Sequence, residues 1–130
     1  MAQDHQHSQG FLDIVKDART RVRQIDIEGY RRMREAGEPH LLVDVREDRE
    51  WEAGHAAGAI HLGKGIIERD IETAVPAKNT RLVLYCGGGY RSALAGDNLR
   101  KMGYTDVISL DGGWRRWQEA GLPVEMPSTT

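Results

Sequence analysis

One cysteine closes an apolar run and opens a glycine-rich loop: Leu82-Val83-Leu84-Tyr85-Cys86-Gly87-Gly88-Gly89-Tyr90-Arg91-Ser92. The run reads as a strand and the segment from Arg91 onward as a helix. The loop between them is free to curl, because glycine carries no Cβ. Backbone N–H groups converging in such a loop, with a helix N-terminus behind them, favour negative charge. A sulfur at that focus is expected to be held as thiolate, the nucleophilic form. Cys86 is therefore the candidate nucleophile, and Gly87, Gly88, Gly89, Tyr90 and Arg91 the candidate substrate-holding loop. In general a strand-end cysteine is more often a small apolar core residue; the glycines and Arg91 are what set this one apart. A cation in the first turn opposes the helix dipole, so Arg91 is expected to serve an anionic substrate or the loop itself. Tyr90, on the loop rim, either covers the pocket or faces solvent.

A second strand end carries Asp44 and Arg46, in Leu41-Leu42-Val43-Asp44-Val45-Arg46. In parallel sheets ligands bind beyond the carboxyl ends of the strands, so both residues lie near Cys86 if the two strands are neighbours. Asp44 reads as a support, accepting hydrogen bonds from the loop or pairing with an arginine. Arg46 reads equally as an ion-pair partner or a substrate-facing cation. His55 is expected in a hydrogen-bonded turn and not as a base, since an ionised sulfur needs none. His61 reads as surface or strand filler, Trp114 and Trp117 as packing, and Lys64 either as a solvated loop residue or as positive potential near the site.

The elements that must position these groups alternate. Phe11, Ile14, Val15, Ala18 and Val22 share one helical face, which predicts an amphipathic helix over 11–22 docked on the body. A short strand follows at 23–25. Asp26 caps a helix that runs to about Ala36 and stops at Gly37. Leu41–Val45 is apolar enough for a strand buried on both faces. A helix over 47–53, a turn over 54–58, a strand over 59–62 and a helix over 65–73 lead to the strand 81–85. The helix 91–102 buries Leu94, Ala95, Leu99 and Met102, 107–109 reads as the last strand, and a final helix ends at Gly121. Short apolar strands alternating with helices predict a parallel sheet covered on both faces. Residues 1–10 are expected to be a disordered tail, 11–24 a helix and lead-in, 25–124 one domain, and 125–130 a C-terminal tail.

Composition excludes several functions. With 18 Lys+Arg against 20 Asp+Glu in 130 residues, there is no basic footprint for nucleic acid. No apolar run reaches the roughly 20 residues needed to cross a bilayer, and the polar start lacks a signal peptide's apolar core. A cytoplasmic location is the expectation. A single cysteine rules out an intramolecular disulfide, a Cys-x-x-Cys pair and a zinc site built from several thiolates. His5 and His7 lie on a polar terminus and are expected to be solvated, so no metal and no cofactor is assigned.

These residues resemble the single-domain rhodanese-like sulfurtransferases. The likeness rests on Leu42-Val43-Asp44-Val45-Arg46-Glu47; on Glu52-Ala53-Gly54-His55 running to Gly58-Ala59-Ile60; on the Cys86–Arg91 loop; and on Leu110-Asp111-Gly112-Gly113 with Trp117, Gly121 and Pro123. The resemblance implies a three-layer α/β fold around a five-stranded parallel sheet. It also implies a reaction: Cys86 takes the sulfane sulfur of thiosulfate or another persulfide donor, holds it as a persulfide, and yields it to cyanide or a thiol. A small-molecule donor and acceptor are implied, or a protein persulfide, with no nucleic acid and no membrane. Related dual-specificity phosphatases use Cys-x5-Arg, whereas Cys86 and Arg91 give Cys-x4-Arg, the shorter loop that favours sulfur over phosphate. A phosphatase or arsenate-reducing enzyme is thus the lesser alternative. A non-catalytic binding module is the other, disfavoured because inactive relatives usually lack the cysteine. Two departures stand out. Arg91 is the only cation in the loop, which lowers the expected affinity for thiosulfate, and Ala56-Ala57 replaces the usual Ile-Pro.

Overall fold

The computed structural model describes residues 7–127. Its elements run α1 Gln9–Ala18, β1 Arg23–Ile25, α2 Ile27–Glu35, β2 Leu41–Asp44, α3 Asp48–Glu52, β3 His55–Ala56, β4 Ile60–His61, α4 Ile67–Ala74, β5 Leu82–Tyr85, α5 Tyr90–Lys101, β6 Val107–Leu110, α6 Gly113–Glu119 and β7 Val124–Glu125. Five strands form one sheet in the order β1-β6-β5-β2-β4, and every pairing is parallel. The α/β expectation is met.

Alternation along β2 and β5 splits the core in two. Val43, Leu82, Leu84 and Cys86 face one layer with Ile67 and Ile71 of α4 and Ala95 and Leu99 of α5. Leu42, Val83 and Tyr85 face the other, with Tyr30 and Met33 of α2 and Trp117 of α6. All four residues of β5 are fully buried, as expected of the middle strand of a sheet covered on both faces. From β2 the chain moves outward to β4, then returns to β5 and continues to β6 on the other side. The carboxyl ends of β2 and β5 are therefore the point where the winding reverses, and a crevice opens there.

The chain departs from the sequence reading at both ends. Ser8 accepts a hydrogen bond from the Phe11 N–H and caps α1, so Gln9 and Gly10 are helical, not tail. Residues 1–6 and 128–130 of the expected tails lie outside the described residues. The helix stops at Ala18 and not at Val22, because Thr20 and Arg21 close a tight turn onto the carbonyls of Asp17 and Ala18. Ile14 stays 54% exposed, since the buried stripe follows Val15 and Ala18. β6 is not the last strand: Glu125, expected in the C-terminal tail, pairs in β7 with His55 of β3, antiparallel. Two-residue strands carry no periodicity for a sequence to display. Within this small sheet the Ala57 N–H donates to the Pro123 carbonyl at 3.0 Å. A proline at 57 would lack that donor, so the departure at Ala56-Ala57 has its own support.

Candidate active site

Cys86 follows the middle strand directly, and the loop after it is turned inside out. The carbonyl of Cys86 accepts from the Trp114 N–H at 2.7 Å, that of Gly87 from the Arg115 N–H at 3.2 Å, and that of Gly88 from the Gly112 N–H at 3.2 Å. The Gly89 carbonyl accepts from the Arg19 guanidinium at 3.1 Å. These carbonyls are drawn into bonds with α6, its lead-in and Arg19 and not toward the sulfur. The Gly89 N–H donates to Cys86 Sγ at 3.1 Å. Among the described residues, the amides of Gly87, Gly88, Tyr90 and Arg91 have no backbone acceptor outside the helix.

Two glycines make this geometry possible. Gly89 ends the loop at φ +102° as the residue before α5, a conformation L side chains avoid. Gly113 has φ +47°, and a Cβ there would collide with the Cys86 carbonyl. Only glycine lets the start of α6 approach the loop closely enough for the Trp114 bond. The pair Gly112-Gly113 thus belongs to the site, which sequence reasoning noted as a motif without assigning it a task.

Behind the sulfur lie two hydroxyls, both fully buried. Ser92 Oγ is 3.6 Å from Cys86 Sγ and 2.8 Å from Ser109 Oγ. Neither serine was identified from the sequence; their link spans β6 and α5 and has no local signature.

Arg91 does not offer a free cation. Its guanidinium donates to both carboxylate oxygens of Glu50, at 2.8 and 3.2 Å. That pairing, with the Glu47 backbone and the nearby charges of Arg91 and Arg46, holds the Glu50 carboxyl at about 2, well below its usual range and against the effect of burial. Arg91 in turn is raised, first by its hydrogen bond to Glu50 and, against burial, by the charge at Cys86 and at Glu50. Glu50 was missed in the sequence because it sits in a short helix with several other acids.

Asp44 and Arg46 are not in the pocket. Residue parity explains it: Asp44 pairs in register with Tyr85, one residue before Cys86, and both point to the opposite face of the sheet. Arg46 donates to Asp44 and, at 2.8 Å, to the Gly54 carbonyl, while Tyr85 donates to Asp44 at 2.6 Å and accepts from the Ala56 N–H at 3.0 Å. Arg46 also lies over the Trp114 ring, 4.7 Å from its centroid. Burial opposes its charge, but the Asp44 hydrogen bonds and charge outweigh this and raise it. Asp44 and Arg46 form a buried ion pair at 2.8 Å, and Arg46, 3% exposed, does not line the cavity. His55, expected in a hydrogen-bonded turn, sits in β3, with Nδ1 3.2 Å from the Trp51 carbonyl and its ring stacked on Trp51 at 3.4 Å between centroids. His61 is more than filler, bonded to the Arg46 carbonyl at 2.8 Å.

Cys86 is 1% exposed and forms the floor of a cavity of about 650 Å³. Tyr90 lines it. His7, expected to be solvated, packs against Tyr90 with centroids 4.7 Å apart and the rings tilted by 56°, and Phe11 lies 6.1 Å from the same ring. Arg115, Arg116 and Glu119 of α6 line the same cavity. Cations outside the loop therefore line the cavity too, and Arg115 and Arg116 were not among the candidates read from the sequence. Among the described residues no group of His, Cys, Asp and Glu is arranged to hold a metal, and no helix is long and apolar enough to cross a membrane.

A lone sulfur at the switch point of a parallel sheet, reached by the Gly89 amide at 3.1 Å and lining a cavity, marks the candidate site of an α/β protein. Its family is narrower. The family model described as the rhodanese-like domain matches residues 26–120, and the chain belongs to that family. It is 32% identical over 101 residues to the thiosulfate sulfurtransferase GlpE of Vibrio cholerae, covering 78% of this chain and 92% of that one. It is 28% identical to the putative sulfur carrier protein YrkF of Bacillus subtilis, over 74% of this chain; the chain spans about half (51%) of that relative's length. Among solved structures, a protein of unknown function from Rhodopseudomonas palustris, described as a possible tyrosine phosphatase, superposes with TM-score 0.82 at 26% identity, over 92% of this chain and 96% of the other. The polysulfide-sulfur transferase homodimer of Wolinella succinogenes gives 0.75 at 25% identity, over 92% and 90%.

Proposed function

We propose that this protein is a sulfurtransferase that carries a sulfane sulfur on Cys86 as a persulfide. The Cys86 thiolate attacks the outer sulfur of a donor, thiosulfate or an organic persulfide. A new S–S bond forms, the donor's S–S bond breaks, and sulfite or a thiolate leaves with the electron pair. A second nucleophile, cyanide or a thiol, then takes the terminal sulfur and restores the Cys86 thiolate. Two displacements through a covalent intermediate give ping-pong kinetics. With no second cysteine in the chain, the acceptor must come from outside.

The observation that carries this reading is the inverted loop, whose carbonyls are drawn away while the Gly89 N–H reaches Sγ at 3.1 Å. Donors fixed in place ahead of the reaction stabilise charge at low reorganisation cost. The persulfide's terminal sulfur is where that charge resides. A sulfur 1% exposed also admits a protruding terminal sulfur more readily than a bulky electrophilic centre.

Phosphomonoester hydrolysis is the competing reading, supported by the description of the R. palustris structure. The four-residue spacing and the engagement of Arg91 by Glu50 argue against it. The test is thiocyanate formation from thiosulfate and cyanide, or thiol persulfidation, alongside hydrolysis of p-nitrophenyl phosphate. Sulfur transfer that disappears in Cys86→Ser, without phosphate release, is expected. Phosphate release dependent on Cys86, without sulfur transfer, would overturn the proposal.

A further inference from the structure

We propose that the cavity above Cys86 selects an organic persulfide of small-peptide size, with a carboxylate-bearing and partly apolar body, over thiosulfate. This rests on the sulfur-transfer reading and names its donor. Size is the first argument. The cavity of about 650 Å³ falls within the range of pockets that enclose organic ligands, roughly 300–1,000 Å³. It has room for roughly twenty waters at ~30 Å³ each, far more than a compact inorganic dianion fills.

The walls give the chemistry. One side is aromatic, built from His7, Phe11 and Tyr90, and the Tyr90 ring is steadied by the Arg19 guanidinium 5.0 Å from its centroid. The other side is α6. Arg116 pairs with Glu119 at 3.0 Å and Arg115 pairs with the same carboxylate at 3.7 Å. Two guanidiniums share one carboxylate, so this wall carries an unmatched positive charge. Both are exposed, at 62% and 61% of their side-chain surface. The loop's own cation is different, since Glu50 neutralises Arg91. An inorganic dianion needs charge beside the reacting sulfur. Here that charge is paired, and the available charge lies on α6, facing the body of a longer donor.

Of the aromatic wall, Tyr90 lies within the matched domain and His7 and Phe11 lie before it. α1 lies outside the matched residues 26–120. It is fixed to the site by Arg19, its C-cap, on the Gly89 carbonyl at 3.1 Å and by Arg21, in the turn after it, on Asp97 of α5 at 2.9 Å. The step itself is balanced: the Cys86 thiolate bonds to the terminal sulfur of R–S–S⁻, and R–S⁻ departs with the electrons of the broken S–S bond. No oxidant is consumed.

The test compares kcat/KM for loading Cys86 from glutathione persulfide, from its diethyl ester, and from thiosulfate. The expected ratio of glutathione persulfide to thiosulfate exceeds tenfold, and the ester loses at least fivefold through KM. Arg115→Gln/Arg116→Gln abolishes the preference for acid over ester, and Phe11→Ala raises KM for both organic donors. A glutathione persulfide to thiosulfate ratio near or below one, or equal use of acid and ester by the wild-type chain, overturns this inference while leaving sulfur transfer intact. Loading from none of the three donors is instead the failure of the sulfur-transfer reading.

Discussion

The Cys86 sulfur is approached from two sides, by the Gly89 amide at 3.1 Å and by the Ser92 hydroxyl at 3.6 Å. Ser109 can donate to Ser92 at 2.8 Å, which leaves the Ser92 proton directed at the sulfur once it is charged. A hydrogen bond to a charged group contributes about 1.5–3 kcal/mol. Ser92→Ala is therefore expected to slow single-turnover loading of Cys86 by about tenfold or more, and Ser109→Ala by a smaller factor. A loading rate unchanged in Ser92→Ala would mean the hydroxyl only fills space. At this scale the sequence was legible where the signal is local: cysteine, glycines and arginine sit within six residues, so their chemistry can be read from spacing. Glu50 and Ser109 were not legible, because they reach the loop from 41 residues before Arg91 and 17 after Ser92. The face that Asp44 takes is not legible for a related reason. Register alone decides which face a strand residue takes, and its partner was Tyr85, not Cys86.

Short elements do the positioning, and each is held by a small number of contacts. α3 presents Glu50 to Arg91 and thereby ties the β2–β3 connection to the start of α5. The Glu50 carboxyl titrates at about 2 in the folded chain against an ordinary 4.5. Its folded value is the lower one, so the stabilisation is fully present above 4.5 and is lost as pH falls through about 2. Glu50→Gln is expected to cost about 1 kcal/mol near neutral pH, after allowance for solvent screening of a pair whose side chains are each 30% exposed. That difference from wild type should shrink as urea titrations are repeated below pH 4.5 and vanish near 2. A difference that persists at low pH would contradict an ionic origin. The type and order of the long elements were legible from apolar periodicity. The paired two-residue strands β3 and β7 were not, since each is made by the other.

Across the whole molecule, one reversal of winding between β2 and β5 sets both the site and its support. The face toward α4 and α5 carries Cys86; the opposite face carries the buried Asp44–Arg46 pair, which fastens the end of β2 to Gly54 and, through Tyr85, to Ala56. Breaking a buried ion pair from one side costs about 3–5 kcal/mol. Asp44→Asn should therefore lower Tm by on the order of 10 °C in a chain of this size, and a scan within a degree or two of wild type would contradict the structural role. The central claim is that Cys86 accepts and holds a sulfur atom. Its most direct test is intact mass spectrometry of the full chain after brief exposure to glutathione persulfide or thiosulfate. The account predicts a gain of one sulfur, reversed by cyanide or by a reducing thiol and missing in Cys86→Ser. An unaltered mass with both donors, or a sulfur gained equally by Cys86→Ser, would contradict it.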